Sequence, residues 1–78
     1  MRALQSPETR QSPHVAFARM AAKSDWLAAA NCLDLAFKRT KMGVNDTGHR
    51  VIINYAYSFD PNSARQLLRR SWDQGWSR

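Results

Sequence analysis

The chain has a single cysteine, Cys32, and six acidic residues in 78. A lone cysteine closes no internal disulfide, which sets the protein apart from small secreted domains held by several. Glycine is nearly as scarce. Gly43, Gly48 and Gly75 never fall into GxGxxG or GxxxxGK[ST], so no phosphate loop is encoded. The two histidines, His14 and His49, are far apart and in no metal-ligand spacing such as HxxxH. His49, between Gly48 and Arg50, reads as a turn residue. Asp25 and Asp34 face different ways on an ideal helix and make no acid and base pair, and Cys32, in an alanine-rich stretch, is most simply a small, partly buried thiol. These gaps point away from an enzyme, with no cofactor, metal or catalytic residue expected.

Long apolar runs are missing as well. Trp26 to Ala30 falls far short of the roughly 20 residues that a bilayer requires. The N-terminus "MRALQSPETRQSPH" has an arginine but no apolar stretch after it, as a secretory signal would need. The expectation is a cytoplasmic protein with no membrane partner. A chain this short holds one domain and buries only about 60% of its unfolded surface, so its core must be small.

Basic charge is what the chain has in excess: twelve Lys plus Arg give a net +6 and a pI near 10.5. Nine of the twelve are arginine, which suits bidentate contact with phosphate or carboxylate. A GC-rich coding sequence would raise Arg and Ala with no functional cause, and is the competing explanation. The excess lies at the two ends: residues 1–24 and 49–78 each carry +3, whereas 25–48 balance to zero.

Residues 1–12 are polar and read as a flexible basic arm, with one small globular domain over 13–78. Ser12 and Pro13 make a helix start, as cap and first position. The text "HVAFARMAAKSDWLAAANCLDLAFKRTKMG" is rich in helix formers and has no Gly or Pro before its end, so helices follow, with a break at Ser24 as N-cap of the second. In that second helix Trp26, Ala30, Leu33 and Phe37 repeat as one buried stripe. Lys38, Arg39 and Lys41 suit its C-terminal turn, and Gly43 its stop.

The stretch "VNDTGHRVIINYAYSF" admits two periods. At period two, Val51, Ile53, Tyr55, Tyr57 and Phe59 share one face of a strand; at 3.6, Val51, Ile52, Tyr55, Ala56 and Phe59 make a helical stripe. The density of Val, Ile, Tyr and Phe favours the strand. A strand needs a partner, supplied by a hairpin through "NDTG" with residues near Lys41 to Val44, or by a second subunit. The expected fold is therefore α+β: N-terminal helices, a short β-hairpin or single strand, and a C-terminal amphipathic helix. The alternative is an all-α bundle. A strand edge in so small a chain also favours a homodimer.

Asp60 and Pro61 open the last helix as cap and first position. Its apolar stripe is Ala64, Leu67, Leu68, Ser71 and Trp72, running into Trp76, while Arg65, Arg69 and Arg70 lie to the flank and far side. Gly75 weakens the helix beside Trp76 and gives that indole a route to the surface. Arg65 and Arg69, one turn apart, can address one phosphate track; solvation alone is the competing account for any single arginine.

Two functions from different classes fit. The first is a small nucleic-acid-associated regulatory protein that holds DNA or RNA phosphates through Arg50, Arg65, Arg69, Arg70 and Arg78. The second is a protein-binding adaptor or inhibitor, meeting an acidic protein surface through Tyr57, Trp72 and Trp76 with arginines at the rim. Short basic chains rich in alanine and arginine, without catalytic motifs, are met among bacterial and phage accessory proteins, though no residue pattern here carries a family match.

Overall fold

Each described helix begins on a hydroxyl or carboxylate that receives its first free amides. In the computed structural model, which describes residues 12–77, Ser12 accepts from the Val15 amide and Pro13 follows it at the start of α1, Pro13–Ala22. Asp25 accepts from Ala28 at the start of α2, Trp26–Thr40. Asp46 accepts from Gly48 and His49 at the start of α3, Thr47–Phe59. Asp60 accepts from Asn62 and Ser63 at the start of α4, Pro61–Asp73. A side chain in this position satisfies one or two orphan N–H groups, and the three aspartates also place negative charge at the positive end of the helix dipole. The cap of α1 falls on Ser12, at the edge of the segment read as an arm; residues 1–11 lie outside the described residues.

The α+β expectation is overturned, and the all-α alternative is the architecture observed. Residues 47–59 are helical, and no strand occurs among the described residues. The β-branched and aromatic content that favoured a strand expresses a weak preference that burial readily overrides. The "NDTG" segment is where the reading turned. Asp46 bonds two amides ahead of it (3.1 and 3.4 Å) and so starts a helix, whereas the same Asx residue also suits a hairpin turn. The strand edge invoked for self-association disappears with the strand.

Two chain reversals have the same design. After α1, the Asp25 amide donates to the Met20 carbonyl and the Ser24 amide to the Ala21 carbonyl, both at 2.9 Å, a Schellman closure with Ser24 left-handed at φ 61°. Ser24 is thus the reversal residue, and the cap of α2 passes to Asp25. After α4, the Trp76 amide donates to Ser71 (2.9 Å) and the Gly75 amide to Trp72 (3.0 Å), with Gly75 at φ 93°. Gly75 therefore turns the chain back on the domain and delivers Trp76 inward. The indole of Trp76 lies 5.4 Å from the Phe37 ring, and its carbonyl accepts from the Val44 amide at 2.9 Å. Trp76 belongs to the packed side of the molecule, contrary to the surface route expected from Gly75.

The helices pack α1 against α2 and α3, and α3 against α4, with a smaller contact between α2 and α4. Small residues make up much of the core: Ala21, Ala29, Ala30, Ala36, Ala56 and Ala64 are all buried. They leave room for the large side chains Phe17, Phe37 and Leu33, each about 0–1% exposed and worth roughly 1.5–3 kcal/mol apiece in apolar burial. Ala30, Leu33 and Phe37 thus form the predicted buried stripe of α2, with Trp26 half-buried beside it. On α3 the inward residues are His49, Ile53 and Ala56. Val51, Tyr55 and Phe59 point outward. No described helix is long and apolar enough to cross a membrane.

Candidate functional site

Helix α3 divides the polar chemistry of the domain in two, because its first turn sends His49 inward and Arg50 outward.

On the inner side, His49 is fully buried, which corrects its reading as a turn residue. His14 Nε2 lies 2.9 Å from His49 Nδ1, and His49 Nε2 lies 3.0 Å from the Thr40 hydroxyl. That hydroxyl donates to the Ala36 carbonyl at 3.0 Å and accepts from the Met42 amide at 3.2 Å. One proton order satisfies every member: His14 Nε2–H donates to His49 Nδ1, His49 Nε2–H donates to Thr40, and Thr40 donates to Ala36. The surroundings of His49 favour its neutral form. Burial pushes its pKa below the ordinary imidazole value, with His14 adding to the shift and Asp46 opposing it. Phe37 meets the ring edge-on at 5.0 Å. The junction ties α1, α2 and α3 together and presents no open coordination: no group of three or more His, Cys, Asp or Glu suited to a metal occurs among the described residues. Cys32 is half-buried, and desolvation followed by the Asp25 charge raises its pKa, the reverse of what an activated thiolate needs.

On the outer side, α3 and α4 enclose a groove of about 280 Å³ whose walls include Arg50, Asn54, Tyr57, Leu68 and Trp72. A neighbouring hollow of about 290 Å³ shares Tyr57, Leu68 and Trp72 and adds Arg65 and Arg69. The helical repeat explains this grouping: Arg50, Asn54 and Tyr57 fall at i, i+4, i+7 on α3, and Arg65, Leu68, Arg69 and Trp72 on one side of α4. Trp72, expected in the core stripe of α4, is 53% exposed; the buried residues of α4 are Ala64, Leu67 and Ser71. Trp26 and Trp76, in contrast, pack against the core.

Five of the eight residues selected from the sequence therefore meet on one face: Arg50, Arg65, Arg69, Tyr57 and Trp72. Arg70 is directed elsewhere. It holds Asp34 of α2 at 2.9 Å and lines a separate hollow with Trp26 and Leu67. Trp76 belongs to the core contact with Phe37, and Arg78 lies outside the described residues. Asn45 and Asn54, which sequence reasoning passed over, also border the groove. The helical spacing from Arg50 to Asn54 to Tyr57 is the signal for Asn54, legible only once 50–59 is helical, whereas Asn45 lies ahead of the α3 cap and has no such signal.

The electrostatics of this face follow from where the carboxylates are used. Asp25, Asp46 and Asp60 cap helices, and Asp34 pairs with Arg70. The Asp60 carboxyl is held below its usual pKa, first by the Ser63 hydroxyl and then by backbone amides. Asp73, exposed at the end of α4, makes no ion pair among the described residues. Arg50, Arg65 and Arg69 likewise form no ion pair among the described residues. Comparison with protein families, curated proteins and solved structures gives no match for this chain.

Proposed function

We propose that the protein is a small nucleic-acid-associated regulatory protein that holds phosphates on the α3–α4 face through Arg50, Arg65 and Arg69. One observation carries this reading: three arginines without an ion partner among the described residues border a shared wall of Tyr57, Leu68 and Trp72, while four of the five described aspartates serve caps or the bond to Arg70. Guanidinium groups unoccupied by carboxylates are available to a polyanion, and the one described aspartate without a cap or pairing role, Asp73, stands one turn from Arg69 at the end of α4. The role is binding and not catalysis, and its setting is the cytoplasm. Arg70 is left out of the contact set because Asp34 occupies it.

The test is a salt-titrated binding measurement with the double variant Arg65→Ala and Arg69→Ala. Both residues are exposed on a helix, where alanine preserves the fold. Affinity is expected to fall alike for every nucleic-acid sequence, and the slope of log affinity against log salt to drop by roughly one per lost phosphate contact. An unchanged slope and affinity would remove the proposal and leave the reading in which the same face meets an acidic protein surface.

A further inference from the structure

We infer that the α3–α4 groove takes an unstacked base of a single-stranded nucleic acid, with Trp72 and Tyr57 as the stacking surface. The inference rests on the phosphate-binding reading above and names its substrate. The two hollows share the Tyr57, Leu68 and Trp72 wall, with Arg50 bordering one and Arg65 and Arg69 the other. A backbone crossing that wall meets guanidinium groups on both sides of the aromatic pair, the arrangement by which single strands are held: cations along the phosphates and flat rings under the bases. In a duplex the base faces are already stacked and out of reach of these rings, so phosphate contacts alone would remain.

Two further features favour a base over other occupants. The groove of about 280 Å³ falls at the lower edge of ligand pockets, which run about 300–1,000 Å³, and suits one flat group. Its border also carries amides free to meet a base edge. The Asn54 side chain is exposed and makes no hydrogen bond among the described residues, and Asn45 donates one N–H to the Ser77 carbonyl at 3.0 Å while its side-chain oxygen stays available. The contrast with the other tryptophans supports the same conclusion. Trp26 and Trp76 are packed on the core, whereas Trp72 is 53% exposed and shares its hollow with Arg65 and Arg69.

The experiment uses fluorescence anisotropy at low salt with a labelled thymidine oligonucleotide, a uridine oligonucleotide of the same length, an abasic strand of equal length and charge, and a duplex. The base-bearing strands are expected to bind more tightly than the abasic strand, with the uridine arm separating RNA from DNA. Trp72→Ala should weaken binding to the base-bearing strands by roughly 5- to 150-fold, leave the abasic strand unaffected and preserve the circular dichroism spectrum. Trp72→Phe, which keeps a flat ring, should restore most of the loss. Equal affinity for abasic and base-bearing strands, or no effect of Trp72→Ala, would overturn the stacking inference. If the Arg65 and Arg69 double variant still weakened binding in that case, the phosphate reading would survive alone. Absence of binding to all four probes would overturn both.

Discussion

The two sides of α3 use polar residues in opposite ways. On the inner side His14, His49 and Thr40 are joined through successive hydrogen bonds, and the buried ring is kept neutral. On the outer side Arg50, Arg65 and Arg69 have no ion partner among the described residues, and the indole of Trp72 is half uncovered. Buried polar groups are tolerated only when paired, so the inner set must close on itself. Exposed cations bear no such constraint and remain open to a ligand. Stability should therefore reside on the inner side and binding on the outer, a separation that mutagenesis can break.

The largest effect is expected from Phe37→Ala. This ring is 0% exposed and touches both His49 and Trp76, so its loss should cost about 3–5 kcal/mol, a large share of the stability of a small domain. Trp72→Ala should cost less than about 1 kcal/mol. Thermal melts of the two variants decide the matter; equal losses would show that the groove is part of the core.

Next in size is the histidine junction. His49→Ala leaves His14 and Thr40 without their partner and should cost about 1–3 kcal/mol. The pH dependence sharpens the test. The folded-state pKa of His49 is lowered, so the unfolded chain binds the proton more readily, and stability is full above the unfolded value near 6.5 and lost as pH falls below it. Urea melts from about pH 7 to pH 5 should show this decline in the parent, and a flatter profile in His49→Ala. A parent profile without slope would mean that the junction accepts a proton without penalty.

Gly75→Ala probes the link between the two sides, since the reversal at Gly75 separates exposed Trp72 from packed Trp76. No atom lies within 4 Å of the added Cβ, so the cost is conformational: φ is 93°, and a left-handed residue with a side chain costs about 1–2 kcal/mol. A calorimetric melt that did not shift would show that the reversal is made without strain.

Much of the local structure was legible along the chain. Ser12 with Pro13, Asp60 with Pro61, and the stripe of Ala30, Leu33 and Phe37 all rest on interactions within a few residues, the range over which sequence patterns act. Arg50, Arg65, Arg69, Tyr57 and Trp72 could be picked out by residue type, because guanidinium and aromatic groups suit the same ligands wherever they stand. Their grouping on one face depends on residues 50–59 being helical, which the β-branched and aromatic composition there argues against.

By itself, then, the sequence determined two of the described caps, Ser12 and Asp60, the helical state of α1, α2 and α4, the excess of arginine and the absence of a catalytic motif, since each of these follows from residue type and short-range spacing. Only the tertiary structure decided the state of residues 47–59, where β-branched residues are overruled by packing of Ile53 and Ala56 into the core. It also made His49 a core residue, because the partners that make its burial tolerable stand 35 and 9 positions away on other helices. The same holds for the parting of Trp72 from Trp76. Four residues apart on an ideal helix they would share a face, and the reversal at Gly75, secured by the distant Val44 and Phe37, puts one in the core and leaves the other beside the arginines.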